Sequence, residues 1–258
     1  MSAIVEFRGA SYSVPRRDGA LAILRDLSFQ VEAGETLVLL GRSGSGKTTS
    51  LKLVNRLLIP ASGEVLVEGK STTGWDPIRL RRRIGYVIQE TGLFPHFTVA
   101  ENIGLVPRLE NWSPGRIRAR VDELLDRVGL APAEFAGRYP RELSGGQRQR
   151  VGVARALAAD PPVLLFDEPF GALDPVTRYE LQRQFVTLRN SLQKTALFVT
   201  HDVREALMLA SRIGLMHLGR LEILASPQDF VRAQTGEARA FLASLEWNSE
   251  SDGSRTAQ

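Results

Sequence analysis

One run of residues has the composition and spacing needed to bind phosphate. The run GRSGSGKT at 41–48 matches the pattern G-x-x-x-x-G-K-[ST], with an apolar segment before it and a helical pattern after it. Glycines allow consecutive backbone N–H groups to point toward one anion, and the helix N-terminus adds positive potential. Lys47 would contact the β- and γ-phosphates of a nucleotide, and the Thr48 hydroxyl would contact Mg²⁺. The alternative is a plain glycine turn. The residues predicted to bind nucleotide here are Gly41, Arg42, Ser43, Gly44, Ser45, Gly46, Lys47, Thr48 and Thr49.

Two acids follow a second apolar segment. Val163–Phe166 has the pattern of a buried strand, and Asp167 and Glu168 come directly after it. Asp167 can hold Mg²⁺ directly or through water, and Glu168 can orient or deprotonate an attacking water. The alternative is that the two acids cap a helix-like turn beginning near Pro169.

A second turn is also built to face an anion. In LSGGQ at 143–147, Ser144 is a good helix N-cap and two glycines permit close approach of the backbone. An ordinary capped helix is the alternative, although each glycine costs about 1 kcal/mol relative to alanine within a helix. One chain could bind two nucleotides with these turns. Two copies could instead share each nucleotide in a head-to-tail, two-fold arrangement.

These residues resemble the ATP-binding subunits of ABC transporters, and the resemblance covers about 5–245. It rests on five motifs in the family's order: GRSGSGKTT, Gln89 in YVIQE, LSGGQRQR, LLFDEP, and His201 in FVTHD. The resemblance implies ATP and Mg²⁺ as ligands and a second copy of the chain as a partner. It implies no chemical role for the Arg42 side chain, which stands at a variable position of the cradle.

The resemblance also assigns roles by position. Tyr12 matches the aromatic residue that stacks on adenine, with packing within a strand as the alternative. His201 matches the histidine that contacts the γ-phosphate and steadies Glu168, with helix capping as the alternative; His96 and His217 are expected to be structural. The implied catalytic residues are Glu168, His201, Gln89 and Lys47; the implied metal ligands are Thr48, Gln89 and Asp167; the implied contacts across the dimer are Ser144, Gly145, Gly146, Gln147 and Asp174.

Within the family, the stretch 84–112 resembles the ATPases of importers for glycine betaine, choline and carnitine, as do LKLVNRL and GALDPVTR. This resemblance implies integral membrane permease subunits, an extracytoplasmic substrate-binding protein, and a peripheral position at the cytoplasmic face of the membrane. Many relatives carry regulatory domains after the cassette, and we expect none here. The alternatives are an importer for a polyamine or an amino acid, and an ABC ATPase outside transport. A P-loop kinase or GTPase is disfavoured, because neither needs LSGGQ.

Composition excludes several other classes. The 258 residues are 43% apolar and 24% charged, which is typical of a globular protein. The absence of cysteine excludes disulfides, thiolate zinc sites and cysteine nucleophiles. A net charge of +4 is small for nucleic-acid binding, and no nucleic acid is expected as a partner. We expect neither a membrane span nor an export signal. The arginines at 79–83 form either a solvated helix face or turn, or a contact with an anionic partner or lipid headgroups.

The predicted fold class is α/β. We expect a P-loop NTPase core with a mixed, mainly parallel sheet, a small N-terminal antiparallel β subdomain within roughly the first 30 residues, and a helical insertion. The predicted division is a core at 1–91 and 161–245, a helical signature subdomain at 92–160 and a disordered tail at 246–258. The predicted strands are 4–7, 27–31, 36–40, 64–67, 84–88, 163–166, 196–200 and 213–217, and the predicted helices are 47–57, 114–128, 146–158, 175–192, 203–210 and 227–233.

Overall fold

The computed structural model describes residues 3–17, 19–89, 92–171, 173–192 and 194–253. Within them, the larger sheet has six strands in the order β10-β9-β3-β8-β7-β6. All neighbouring pairs are parallel except β9 with β10, so the sheet is mixed and mainly parallel, as predicted. Its strands are β3 Thr36–Leu40, β6 Ile84–Val87, β7 Val163–Asp167, β8 Thr195–Thr200, β9 Arg212–His217 and β10 Arg220–Ala225.

The smaller sheet is antiparallel and has the order β2-β1-β4-β5 among the described residues. Its strands are β1 Ala3–Arg16, β2 Gly19–Glu32, β4 Ser62–Val67 and β5 Lys70–Ser71. The predicted N-terminal β subdomain is therefore present. It also recruits β4 and β5 from beyond the first 30 residues.

The helices cover both faces of the larger sheet. They are α1 Lys47–Val54, α2 Pro77–Arg82, α3 Val99–Leu109, α4 Pro114–Arg127, α5 Pro132–Phe135, α6 Gly145–Leu157, α7 Pro175–Leu192, α8 Val203–Leu209, α9 Pro227–Phe230 and α10 Gly236–Gly253. The insertion between β6 and β7 is helical, as expected, and contains α3 to α6. The division of the chain into domains stays a prediction. In the described part of the chain, no helix is long and apolar enough to cross a membrane.

The described residues form two hydrophobic cores, and strand β3 contributes side chains to each of them. Val38 and Leu40 pack into the core that includes the helical insertion, whereas Leu37 and Leu39 pack into the core beneath the smaller sheet. This alternation is the ordinary consequence of side chains pointing to opposite faces of a strand. Every residue of β3 is buried. The loop that follows β3 is therefore attached to a strand fixed on both faces.

The structure corrects several predicted boundaries. Helix α1 ends at Val54 rather than at residue 57, because Arg56 has a positive φ of 53° and the Asn55 side chain accepts a bond from the Leu57 N–H. We did not predict β10, whose residues are all exposed or half-buried and lack a continuous apolar run.

Residues 246–253 continue α10, and the disordered tail stays a prediction with the rest of the division into domains. Once the first turns of a helix are packed, each further residue adds a hydrogen bond at little extra cost. Residues 254–258 lie outside the described residues.

The basic run at 79–83 forms most of α2, and three of its arginines bond to the protein itself. Arg83 makes a bidentate pair with Glu68, with both N–O distances at 2.7 Å. Arg82 pairs with Glu110 at 3.1 Å. Arg81 donates to the carbonyls of residues 55 and 56. These contacts favour the solvated, structural interpretation over a lipid-binding one.

Candidate functional site

The glycine-rich loop connects β3 to α1 and adopts a backbone that side chains rarely permit. Gly44 and Gly46 have φ values of +80° and +100°. A Cβ at Gly41 would lie 2.4 Å from the carbonyl oxygen of Met216. Only glycine fits these positions without strain. The loop therefore packs directly against the larger sheet, and its backbone fits the predicted phosphate cradle.

Lys47 lies inside this cradle with 5% of its surface exposed. Its Nζ donates to the carbonyl oxygens of Gly41 at 2.7 Å and of Arg42 at 3.0 Å. Burial lowers the pKa of Lys47, and the carboxylates of Glu168 and Asp167 oppose that shift. The Ser45 hydroxyl is buried with no hydrogen-bond partner among the described residues. A buried ammonium and an unpaired hydroxyl in one loop fit a phosphate group.

Asp167 ends β7 and is 7% exposed. Its Oδ1 accepts a hydrogen bond from the Thr48 hydroxyl at 2.7 Å. Its Oδ2 accepts one from the Tyr86 hydroxyl at 3.0 Å. One hydroxyl and one carboxylate beside a phosphate cradle are the usual protein ligands of Mg²⁺, which takes its other ligands from phosphates and water. Thr48 and Asp167 therefore fit the predicted metal site.

Tyr86 is a contact that the sequence analysis missed. It lies on β6, which pairs in parallel with β7, so that Tyr86 stands opposite Leu165. Burial and the negative charge of Asp167 raise the pKa of Tyr86, and the phenol stays protonated as a donor. The sequence did contain a signal for this contact, because Tyr86 is a polar residue among the apolar residues of a predicted strand.

Glu168 and His201 lie next to each other beside the cradle. Glu168 has a positive φ of 44°, and its N–H donates to the carbonyl of Val199 on β8 at 3.1 Å. His201 Nδ1 lies 3.0 Å from Glu168 Oε2, and Lys47 Nζ lies 4.0 Å from Glu168 Oε1. The carboxylate thus stands between the cradle and the histidine. The helix-capping role that was the alternative for His201 belongs to Asp202, which accepts the Arg204 N–H at 2.8 Å.

The second anion-facing turn forms the N-terminus of α6. Ser144 and Gln147 make a reciprocal capping box, at 3.2 Å and 2.8 Å. A Cβ at Gly146 would lie 2.7 Å from Thr177 Cγ2 on α7, so packing alone requires glycine there. At Gly145 a Cβ would meet nothing closer than 3.6 Å. Packing therefore does not explain why residue 145 is a glycine. Close approach of the backbone to an anion would explain it, so the proposed anion-binding role depends on Gly145.

Asp174 lies beside this turn. Its Oδ1 accepts the Thr177 N–H at 3.0 Å, and this hydrogen bond lowers the pKa of Asp174. The same Thr177 packs on Gly146. The structure therefore brings Asp174 and the Ser144 turn together in one place, through α7. Ala172, in the same loop, lies outside the described residues.

Both the sequence and the fold of this chain resemble those of known proteins. The sequence profile of the family described as ABC transporter matches residues 24–171, more than half of the chain. The chain belongs to the ABC transporter family. Among solved structures, the ABC cassette described as a dimeric post-hydrolysis state of MJ0796 bound to ADP and Pi superposes with a TM-score of 0.78 at 33% identity, and covers 86% of this chain and 98% of that one.

Three similar curated proteins are described as ATP-binding proteins of import, transport or uptake systems. The osmoprotectant import ATP-binding protein OsmV of Salmonella typhimurium is 49% identical over 224 residues, which are 87% of this chain and 59% of that protein. The choline transport ATP-binding protein OpuBA of Bacillus subtilis is 47% identical over 219 residues, 85% of this chain and 57% of that protein. The chain thus spans less than two thirds of these two relatives. The glycine betaine uptake ATP-binding protein YehX of Escherichia coli is 48% identical over 242 residues, 91% of this chain and 78% of that protein.

Two further predicted site residues, Tyr12 and Gln89, lie outside the cradle loop. Tyr12 on β1 stands opposite Leu24 on β2, and Leu24 lies 2.5 Å from the position of a Cβ at Gly46. Tyr12 is therefore one strand pair away from the cradle, although it also packs on the smaller core. Gln89 follows β6 in an exposed turn, and its neighbour Glu90 lies outside the described residues.

The ABC cassette also contains a buried polar cluster that the sequence analysis missed. Glu205 is 4% exposed and accepts hydrogen bonds from the Thr200 hydroxyl at 2.6 Å and from Gln182 Nε2 at 3.0 Å. Burial raises the pKa of Glu205. Thr200 in turn accepts the Asp202 N–H at 3.0 Å. The cluster fixes the two residues that flank His201.

Proposed function

We propose that this chain is the ATP-binding and ATP-hydrolysing subunit of an ABC importer for quaternary-amine osmoprotectants such as glycine betaine, choline or carnitine. The observation that carries the ATPase proposal is the placement of Lys47, Asp167 and Glu168 around one cradle. The substrate class is supported by the similarity to OsmV, OpuBA and YehX.

The proposed chemistry follows from the position of each group. The cradle and Lys47 hold the phosphates, and Thr48 and Asp167 hold Mg²⁺, which neutralises charge on the phosphates when bound. Glu168 accepts a proton from the attacking water, because its carboxylate lies 4.0 Å from Lys47 Nζ, beside the predicted phosphate position. His201 orients Glu168 through the 3.0 Å contact.

We further propose that two copies share each ATP. Ser144 and Asp174 are exposed on the single chain, directly before the first residues of α6 and α7. Exposed capping groups next to Gly145 are suited to bind a phosphate carried by another copy. The solved cassette with a TM-score of 0.78 is itself described as dimeric.

The proposed permease contact is the segment after β6. Phe94 is 40% exposed, and its ring lies 5.3 Å from that of Phe97 and 6.0 Å from that of His96. Leu93, by contrast, packs against the core that includes the helical insertion. The alternative that the whole segment serves only internal packing thus fits Leu93 but not Phe94. An exposed aromatic cluster is suited to receive an apolar segment of a membrane subunit. We propose a peripheral location at the membrane for this reason, on the cytoplasmic face that the sequence resemblance implies.

The test is ATP hydrolysis by the assembled transporter. The chain is reconstituted with its permease and substrate-binding protein, and hydrolysis is measured with the binding protein empty or loaded with each candidate solute. We expect glycine betaine, choline or carnitine to accelerate hydrolysis. Acceleration by an amino acid, polyamine or sugar, with no response to any quaternary amine, would reject the substrate class and leave the ATPase proposal standing. The absence of hydrolysis in every condition would reject both.

A further inference from the structure

The side chain of Arg42 connects the phosphate cradle to α10. Arg42 Nε donates to Glu237 Oε1 at 2.7 Å. The Glu237 side chain is 9% exposed, whereas that of Arg42 is 66% exposed. A carboxylate buried to this degree needs a charged or hydrogen-bonding partner. His217 Nδ1 lies 3.6 Å from the other carboxylate oxygen. Arg42 is therefore the principal partner of Glu237.

Glu237 is presented by a firmly packed element. It lies in the first turn of α10, where a negative charge is favoured by the helix dipole. The next residue, Ala238, is completely buried, and Phe241 and Leu242 pack against the larger core. The carboxylate is consequently fixed relative to the sheet.

The backbone of Arg42 is part of the cradle itself. Its carbonyl oxygen accepts hydrogen bonds from Lys47 Nζ at 3.0 Å and from the Ser45 N–H at 3.2 Å. The preceding residue, Gly41, packs on the carbonyl of Met216 at the end of β9. A change in the position of Arg42 would therefore move the carbonyl that holds the Lys47 ammonium.

We propose that Glu237 is a positioning residue for the nucleotide: through Arg42 it holds the first turn of the cradle in the shape that receives the phosphates of ATP. The affinity for ATP then depends on how α10 sits on the core. This gives Arg42 a role that the sequence resemblance did not imply. The inference rests on the proposed binding of ATP.

The test is a double-mutant cycle on nucleotide affinity. The Kd for a fluorescent ATP analogue is measured for the wild type, Arg42→Gln, Glu237→Gln and the double variant. Each single substitution is expected to raise Kd by roughly fivefold, as for the loss of one charged hydrogen bond that is partly exposed. The double variant is expected to match the singles, because both changes break the same contact.

Glu68→Gln is the matched control, because it breaks the exposed Arg83 pair at 2.7 Å, and neither residue belongs to the cradle or to α10. Its Kd is expected to equal that of the wild type. Wild-type affinity in both single variants, or multiplied effects in the double variant, would overturn the inference. Failure of the wild type to bind ATP would instead reject the proposed function. If Glu237→Gln does not fold, as shown by thermal melting, Arg42→Gln alone decides, because its side chain is mostly exposed.

Discussion

His201 Nδ1 lies 3.0 Å from Glu168 Oε2, and this contact holds the carboxylate with its other oxygen toward Lys47. The two residues belong to different strand ends, since Glu168 follows β7 and His201 follows β8. Parallel strands place their carboxyl ends at one edge of a sheet, where ligands of open α/β folds bind. The pair is thus a direct product of the strand order, and it makes Glu168 the candidate base.

Replacing Glu168 with Gln is expected to keep ATP binding and to lower the hydrolysis rate by about 10²- to 10⁴-fold, because the amide cannot accept the proton of water. The variant should also accumulate as an ATP-bound dimer. Steady-state phosphate release and size-exclusion chromatography with ATP measure these effects. Glu64→Gln, on β4, is the control and should hydrolyse normally. Near-normal hydrolysis by Glu168→Gln would show that another group is the base.

The parts of the site that could be predicted are those encoded within one short segment. The cradle, the acids after β7 and the capped turn at Ser144 each depend on neighbours in the sequence, and the structure forms all three. The contacts that could not be predicted join distant residues. Tyr86 and Asp167 are 81 positions apart, and Arg42 and Glu237 are 195 apart. Their proximity follows from the strand order and from the docking of α10, which no local pattern specifies. The same reason explains why β10 was missed, since its pairing with β9 rather than its own pattern makes it a strand.

A cysteine pair can test whether two copies share each nucleotide. The chain contains no natural cysteine, and Ser144 and Ser43 are both exposed. In the Glu168→Gln background, Ser144→Cys combined with Ser43→Cys is expected to crosslink between chains when ATP is added. Ser144→Cys with Ser62→Cys, at the exposed start of β4, is the control and should not crosslink. The products are separated by denaturing electrophoresis. If no ATP-dependent crosslink between chains forms, the shared-site proposal is wrong.

Replacing Tyr86 with Phe is expected to weaken Mg²⁺ binding selectively. The change removes the hydroxyl that holds Asp167 Oδ2 and frees the carboxylate to rotate away from Thr48. Loss of such an outer partner typically costs about 10- to 100-fold in metal affinity. The measurement is a Mg²⁺ titration of nucleotide binding, with affinity for the nucleotide in EDTA expected to be unchanged. Tyr179→Phe, at a residue on α7 that is 53% exposed, is the control. Superimposable Mg²⁺ titrations of Tyr86→Phe and the wild type would contradict the role of the hydroxyl.

The buried Glu205 predicts a pH dependence of stability. Its pKa is raised in the folded protein, chiefly by burial, so the folded state holds this proton to higher pH than the unfolded state does. The contribution of this proton to the free energy of unfolding is complete below the ordinary carboxyl pKa of 4.5 and is lost as the pH rises above that value. Glu205→Gln removes this titration and keeps hydrogen-bonding capacity toward Thr200 and Gln182. The variant should therefore gain in Tm relative to the wild type as the pH rises above 4.5, by about 2–4 °C for each kcal/mol by which the buried charge destabilises the wild type.

Thermal melting across that pH range measures the difference. Glu222→Gln, at an exposed position of β10, is the matched control and should follow the wild type at every pH. A constant difference in Tm between Glu205→Gln and the wild type would show that Glu205 does not titrate differently on folding. The cluster also supports Asp202, which caps α8 beside His201. Glu205→Ala, which leaves Thr200 and Gln182 without their shared acceptor, should therefore lower Tm by several degrees, since an unsatisfied buried polar group costs about 1–3 kcal/mol. It should also reduce hydrolysis, whereas Glu205→Gln should preserve it.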